Sequence, residues 1–494
     1  MHPNAATLRA IAISDSLDPA QVWRRAAFVS AAILAIAGVF TCCCDTPMLW
    51  DGSYQFCFTL IKQKPYFYLT RFHSYVLWLP LVWLSHLTSN LFLLKLAYGL
   101  PFTLAPAASV LLSWWVVGKR APHLILWAIF GAAAAPLPGQ IFIINDSIFQ
   151  QHMFWPVFLG LLVPLRKRQI VALSLLVVFQ FSHQIGLVLL GGGAGAALLL
   201  AIRDRANRRE LLIKAGILGV LAIIALWKIF HFPDSYAQRE FTWDRAHEAW
   251  RWGVEGYPLR GVEFMWGAGA LCLIGGMVSG RWRNRATWLA AFCIVAAAVT
   301  WTIWAIDSHK WSTALNYRRW VVPLTVPFYL LAFIDAWRRV GLPGGTGVPP
   351  VRTASQHEHR AFATTSPLLI GAMVAATFAL ILSIQSIVWL RLTHHLMHDV
   401  EAYPGPVVPW SQISWTKDSP LYHWGTTSYV FVVEGQKPWK LVLDPDPTES
   451  AAQVQMVHAD PPRIPLSWFT PISPEPGPAG WFDFRPMLKQ IRGR

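Results

Sequence analysis

The sequence predicts an all-α polytopic membrane protein with about 11–13 transmembrane helices and a small mixed or β-rich tail on the outer side. Three observations predict this class. Charged residues make up only 14% of the 494 residues and hydrophobic residues 54%, whereas soluble domains carry about 25% charged residues. Apolar runs long enough to cross a bilayer recur along the chain. Many of the 27 Trp residues lie at the ends of these runs, where indole rings favour the membrane interface.

Basic residues indicate the orientation of the chain. The net charge of +15 is spread over short clusters between apolar runs, as the positive-inside rule describes. A nucleic-acid-binding protein instead gathers its basic residues on one soluble face, so we expect a lipid bilayer and no nucleic acid as partner. Arg24 and Arg25 precede the first run, which predicts that residues 1–26 are cytoplasmic. No small-residue cleavage site follows that run, so a cleavable signal peptide is not expected.

The transmembrane core is predicted over residues 27–337, with outer loops at 45–73, 232–260 and 307–319. Prolines and Asn90 break the region 74–117 into two or three spans, and the number of spans in 74–144 stays open. The run 169–202 is long enough for two short spans hinged near His183. The apolar runs are, in order, 27–44, 74–117, 123–144, 150–165, 169–202, 212–231, 261–280, 287–306 and 320–337.

The last part of the chain is predicted to lie outside the core. Residues 338–366 are rich in Gly and Pro, which predicts a flexible cytoplasmic linker. A last span follows at 367–390, and residues 391–494 form a periplasmic tail. Ser428 to Val433 and Lys440 to Leu443 have the composition of strands.

The first outer loop carries the residues best suited to chemistry. Asp45 and Asp51 lie close to the end of a span, where a carboxylate is costly unless it is solvated or functional. A carboxylate in a partly apolar cleft can act as a general base. Lys64 and Arg71, further along the loop, have the charge to bind phosphate. From the residues alone, an ordinary solvated loop with a turn at Trp50–Gly52 is the favoured explanation of the pattern.

The order of these residues resembles the start of the GT-C membrane glycosyltransferases, a superfamily that includes protein mannosyltransferases, aminoarabinose transferases and the RgtA-like group. The resemblance rests on Asp51-Gly-Ser-Tyr54, then Lys64-Pro-Tyr66 and Arg71-Phe-His73. It covers about residues 25–170 as a pattern. The chain departs from the superfamily in two ways: Gly52 replaces the second member of the common Asp-Glu pair, and Asp45 competes with Asp51 for the catalytic place.

The resemblance implies a GT-C-like fold and a hexosyl- or pentosyltransferase. Such an enzyme moves a sugar from a polyprenyl-phosphate donor to an envelope glycan or lipid acceptor, on the outer face of the bacterial inner membrane. Asp51 or Asp45 is then catalytic. Some members bind a divalent metal at the loop Asp, so the cofactor stays open, and we assign no residue to a metal. The residues expected to bind substrate are Tyr54, Lys64, Arg71, His73, Asp146, Lys310, Arg318 and Arg319.

Several of these residues have a plainer explanation. Asp146 follows Asn145 in an apolar stretch and is either a turn or a second carboxylate of the cleft. Lys310, Arg318 and Arg319 are cations in an outer loop, against the positive-inside trend, which favours phosphate binding over anchoring of the next span. Other candidates are His183 within an apolar run, the Trp-rich loop 232–260, and His394, His395 and His398, whose spacing fits a metal site without a fourth ligand.

Two other classes of protein fit the composition. A transporter or flippase of a lipid-linked substrate should show broken helices and an internal repeat. We find no convincing repeat, and the ionisable residues crowd into outer loops, which favours the transferase. A non-catalytic envelope scaffold would work through its outer tail. Replacing Asp51 by Asn separates an enzyme, which should lose turnover, from a scaffold, which should not.

Overall fold

The computed structural model describes most of the chain and is largely helical. It describes residues 19–48, 51–65, 72–134, 146–181, 185–231, 328–337, 366–414, 425–435, 438–467, 470–477 and 480–493. Among these described residues, ten α-helices precede residue 232: α1 Pro19–Cys43, α2 Asp51–Lys62, α3 Phe72–Ser85, α4 Leu91–Thr103, α5 Ala105–Val117, α6 Ile125–Ala134, α7 Asp146–Leu162, α8 Lys167–Val178, α9 Ile185–Arg203 and α10 Arg208–His231. The short helix α11, Phe328–Trp337, and the long helix α12, Ser366–Ala402, follow.

Four described helices are long and apolar enough to cross a membrane: α1, α9, α10 and α12. Helices α4 and α5 meet at an angle of 45° and count as a fifth span if they are taken together. These helices are compatible with a multi-pass membrane protein, as the composition predicts. The predicted spans 261–280 and 287–306, the loops 232–260 and 307–319, and all of the predicted linker 338–366 except Ser366 lie outside the described residues.

Helices α1 and α12 pack side by side and run in the same direction. Gly371, near the start of α12, faces Ser30 and Ala26 of α1. Fifteen residues later, Ser386 Oγ lies 3.2 Å from Thr41 Oγ1 in a buried hydrogen bond. The two contacts follow the same order along both helices, so the helices are parallel and the end of α12 extends beyond the end of α1.

The broken span α4–α5 runs antiparallel to α1. Gly99 of α4 lies against the Cys42 thiol, whereas Gly38 of α1 lies against the carbonyl of Thr103, where α4 ends. This helix pair therefore runs along α1 from Leu91 to Val117. Helix α3 has only 14 residues, fewer than the roughly 20 that a span needs. Where two or three spans were predicted in 74–117, the structure has one bent helix pair and one short helix.

The basic clusters of the sequence meet at one end of the bundle. The Arg120 guanidinium donates to the carbonyl of Pro164, Gln169 Nε2 donates to the carbonyl of Trp115 at 2.8 Å, and Lys214 Nζ donates to Gly160 at 2.9 Å. The 3-10 helix Pro122–Leu124 packs against α1. We call this the basic end; its Lys and Arg residues are Arg24, Arg25, Lys119, Arg120, Arg166, Lys167, Arg168, Arg203, Arg205, Arg208, Arg209 and Lys214.

The opposite end, where α1 ends and α4 begins, is the distal end, and the C-terminal domain, residues 403–493, covers it. Helix α12 leads into this domain and continues past the predicted boundary at residue 390. The later elements are β1 Val407–Val408, α13 Thr426–Glu434, β2 Leu441–Val442, α14 Pro447–His458, β3 Ile464–Ser467, β4 Thr470–Ile472 and α15 Arg485–Arg492.

The C-terminal domain is a mixed α/β unit whose core continues into the bundle. Strand β1 pairs with β2 in parallel, and β3 pairs with β4 antiparallel. The rings of Phe431 and Phe484 meet edge to face at 4.9 Å. The stretch Ser428 to Val433, predicted as a strand, lies in α13, which is buried almost all round. The strand prediction for this stretch was therefore wrong, because a fully buried helix and a buried strand give the same continuous apolar run. The strand predicted within Lys440–Leu443 is present, at Leu441–Val442.

Candidate functional site

Asp45 lies in the sharp turn that ends α1 at the distal end. Its backbone has a φ of 59°, a left-handed conformation that Asp tolerates better than most residues. The Asp45 amide donates to the carbonyl of Cys42 at 3.1 Å, and Thr46 Oγ1 donates to the carbonyl of Thr41 at 2.5 Å. These bonds reverse the chain direction directly after the span and fix the position of the Asp45 carboxylate.

The Asp45 carboxylate forms an ion pair with Lys95 Nζ of helix α4. The two side chains are only 19% and 14% exposed, so the pair is shielded from most of the solvent. Such a pair is screened less by water and salt than a surface pair. The distal end therefore holds a carboxylate and a cation in contact, and the cation is not among the residues predicted from the sequence.

Part of the C-terminal domain lies close to this pair. The Tyr429 ring of α13 meets the Trp389 ring of α12 edge to face at 5.2 Å. Burial, together with the negative charge of Asp45, raises the pKa of Tyr429 well above its usual range. Part of α13 therefore lies near the Asp45 turn.

Helix α2, which Asp51 begins, is held between the bundle and the C-terminal domain. On one side, Ser53 Oγ donates to the carbonyl of Gly425 at 3.1 Å, and the Cys57 thiol lies 3.7 Å from the carbonyl of Ser428. On the other side, the Tyr98 hydroxyl donates to Gln55 Oε1 at 3.2 Å. Helix α2 is therefore an internal element, and the prediction of an ordinary solvated loop does not describe it.

Gly52, the residue that departs from the GT-C pattern, has a steric role. A Cβ atom at this position would lie 1.8 Å from the carbonyl oxygen of Pro47, far inside van der Waals contact. A side chain therefore requires the turn at Thr46–Met48 to move. The close approach of this turn to α2 accounts for the absence of an acidic residue directly after Asp51.

The structure describes the side chains of only some of the residues predicted from the sequence. Asp51 lies at the first position of α2, and Asp146 at the first position of α7. Tyr54 is buried in α2 at 2% exposure, whereas Lys64 is exposed just after that helix. The side chains of Asp51, His73 and Asp146, and the whole of Arg71, His183, Lys310, Arg318 and Arg319, lie outside the described residues.

Sequence reasoning missed Lys95, although its signal was present. Lys95 is the only charged residue in the apolar helix Leu91–Thr103. An ionisable residue inside a span usually has a partner or a function, and this rule, applied to Lys95, would have paired it with a nearby carboxylate. The pairing with Asp45 itself depends on how α4 packs against α1.

Sequence reasoning also missed a buried polar layer inside the bundle, on α7. His152 is fully buried, and neither of its ring nitrogens has a hydrogen-bond partner in the described part of the chain. Ser109 Oγ donates to its carbonyl at 2.7 Å, and the Tyr329 hydroxyl donates to the carbonyl of Gln151 at 2.9 Å. Gln180 Nε2 lies 3.4 Å from the carbonyl of Gln150. The Gln-Gln-His triplet at 150–152 is the signal that pointed to this layer.

The described residues contain no group of three or more His, Cys, Asp or Glu side chains placed to hold a metal ion. His394 and His395 have ring centroids 6.3 Å apart, and the His398 side chain is 75% exposed. Comparisons of the whole chain with models of protein families, with curated proteins and with solved structures find no match.

Proposed function

We propose that this protein is a membrane glycosyltransferase that moves a sugar from a polyprenyl-phosphate donor to an envelope acceptor. The observation that carries the proposal is the shielded ion pair of Asp45 with Lys95, beside a helix that begins at Asp51. Glycosyl transfer needs a carboxylate at the acceptor and positive charge at the departing phosphate. The resemblance to GT-C enzymes assigns both tasks to this segment of the chain.

The proposed orientation follows from the basic end. Because cytoplasmic loops carry the excess of Lys and Arg, the basic end faces the cytoplasm and the distal end faces outward. The N-terminus is then cytoplasmic, and the C-terminal domain is periplasmic in a bacterial inner membrane. A polyprenyl-phosphate sugar whose head lies in the outer leaflet would be on the same side of the membrane as the Asp45 turn.

In the proposed reaction, an acceptor hydroxyl oxygen attacks the anomeric carbon of the donor sugar. The bond between that carbon and the phosphate oxygen breaks, and polyprenyl phosphate leaves with the electron pair. The hydroxyl proton passes to the carboxylate of Asp51 or Asp45. Lys95 is placed to balance the charge of the acceptor-side carboxylate or of the phosphate. Tyr54, Lys64, Arg71, His73, Asp146, Lys310, Arg318 and Arg319 remain proposed substrate contacts.

The test measures turnover in proteoliposomes. Purified protein is supplied with radiolabelled polyprenyl-phosphate hexoses and pentoses and with extracted envelope lipids and glycans, and transferred label is counted. We expect Asp45→Asn or Asp51→Asn to lower turnover by at least about 100-fold, the usual contribution of a general base. Glu401→Gln, a matched change at an exposed carboxylate of the same end, should keep it.

Thermal unfolding in detergent shows whether each variant is folded. Full turnover in both folded aspartate variants would contradict the proposal, because Asp45 and Asp51 are the carboxylates to which it assigns the acceptor proton.

A transporter or flippase of a lipid-linked substrate is the second candidate. The 45° break between α4 and α5 and the buried layer around His152 favour it, because transporters bind substrates at broken helices near the middle of the membrane. Vesicles loaded with the radiolabelled polyprenyl-phosphate sugar distinguish a transporter from a transferase. A transporter moves it between leaflets without releasing its sugar, and His152→Phe, but not Asp45→Asn, then abolishes movement.

A further inference from the structure

The exposed face of α12 changes its chemistry abruptly along the helix. Met373, Leu380 and Ile387 are exposed on one face at 44%, 56% and 50%. The same face then continues with Arg391 and the three exposed histidines His394, His395 and His398, because positions three, four and seven residues apart align on a helix. The face is therefore apolar over the first part of α12 and basic directly after it.

The position of this change matches the edge of the bilayer. Ser386 is level with Thr41, and α1 ends at Cys43, so the basic segment begins about one turn beyond the end of α1. At 1.5 Å per residue, the segment 391–398 is about 10 Å long. The polar headgroup region of one leaflet is about 5–8 Å thick. The basic segment therefore has the position and the length of a headgroup contact.

Acidic residues limit the segment on the side away from the membrane. Asp399 accepts hydrogen bonds from the Ser414 amide and hydroxyl, at 2.9 and 2.6 Å, and lies 3.8 Å from His398. Glu401 follows on the same helix. An anion is therefore held best close to Arg391 and away from the carboxylates of Asp399 and Glu401. An apolar group attached to that anion would lie beside Ile387 and Leu380. A phospholipid has this shape: a phosphate joined to acyl chains.

We propose that Arg391, His394 and His395 form a binding site for the phosphate headgroup of an anionic phospholipid in the leaflet at the distal end. Arg supplies a planar, permanently charged donor group suited to phosphate, and each imidazole supplies an N–H donor. The site holds the exposed face of α12 at a fixed depth in the bilayer, just before the helix enters the C-terminal domain. It does not depend on which reaction the protein catalyses.

The test is photolabelling in nanodiscs made of phosphatidylcholine with a small amount of phosphatidylglycerol that carries a diazirine on its headgroup. Mass spectrometry of the digested protein then quantifies adducts on peptides that cover residues 391–398. We expect strong labelling in the unmodified protein and a loss of about fivefold or more in Arg391→Gln/His394→Gln/His395→Gln, the effect of one lost charge near a membrane surface. Arg463→Gln, an exposed arginine of the C-terminal domain, should leave labelling unchanged, and Arg391→Lys should keep most of it.

Three results would overturn this assignment. The first is equal labelling in the triple Gln variant and in the unmodified protein. The second is equal labelling by a diazirine phosphatidylcholine, which shows contact without charge recognition. The third is displacement of the probe by soluble glycerol phosphate or by polyprenyl phosphate, which assigns the segment to another ligand.

Discussion

At the scale of single residues, the Asp45–Lys95 pair is the feature on which the proposed site rests. The carboxylate could be predicted from its place beside a span, because a charge there needs solvent or a partner. Its pairing with Lys95 could not be predicted, because 50 residues separate the two and only the packing of α4 against α1 brings them together. Asp51 could be picked out as a candidate from the sequence, but the buried helix that it begins could not be predicted. Ser53 and Gln55 have the composition of an ordinary loop, and only their hydrogen bonds to Gly425 and Tyr98 show that they are internal.

Removing one member of this pair should destabilise the protein. Lys95→Met leaves the Asp45 carboxylate largely shielded without its cation, and we expect a loss of about 1–3 kcal/mol in the free energy of unfolding. Asp45→Asn/Lys95→Met, which removes both charges, should recover most of the loss. Thermal unfolding in detergent measures the stability of the single and the double variant. The control is Lys489→Met, at an exposed lysine of α15. Equal midpoints for the Lys95 variant and the control would show that the pair contributes nothing to stability.

At the scale of elements, the apolar runs located most helices but not how they are divided. The break predicted near His183 falls between α8 and α9, where the 3-10 helix Phe179–Phe181 intervenes. The break in α4–α5 falls just before Pro106, which lies in the first turn of α5, whereas Pro80 and Pro101 lie within helices. Proline therefore marked the start of α5 but no break at the other two positions; the packing of Thr103 against Gly38 accompanies the break.

Gly38 should be essential to the packing of α1 against α4. A Cβ atom there would lie 2.3 Å from the carbonyl oxygen of Thr103, so Gly38→Ala must push the two backbones apart. We expect a loss of about 1–3 kcal/mol, read as a lower midpoint of thermal unfolding. At Gly191 of α9, a Cβ would meet nothing within 4 Å, and Gly191→Ala should be neutral or stabilising by up to about 1 kcal/mol. If both variants unfold at the same temperature, the packing of α1 against α4 does not depend on the absence of a side chain at Gly38.

At the scale of the whole molecule, the charge pattern predicted which segments share a side, and the structure gathers the described basic clusters at one end. The arrangement of the C-terminal domain was beyond prediction. Its strands are two to four residues long, too short for a clear alternating pattern, and its core is shared with the bundle.

The two ends of the bundle should react from opposite sides of the membrane. In a cysteine-free background, Arg205→Cys probes the basic end and Thr448→Cys probes the C-terminal domain; both positions are exposed. A membrane-impermeant maleimide added to intact cells should label only the second, and both should react after the cells are lysed. If intact cells label Arg205→Cys and not Thr448→Cys, the orientation is the reverse of the proposed one. If intact cells label both, the two ends do not lie on opposite sides of the membrane.

The parallel pairing of α1 with α12 has a consequence for how the protein is made. The first helix leaves the ribosome long before the last, since Thr41 and Ser386 are 345 residues apart. Until synthesis reaches α12, the Ser30 and Thr41 hydroxyls and the small residues around them face lipid or a temporary neighbour, such as an insertase or chaperone. Assembly of the bundle therefore includes a late docking step, in which α12 packs along α1, a helix that was made long before it.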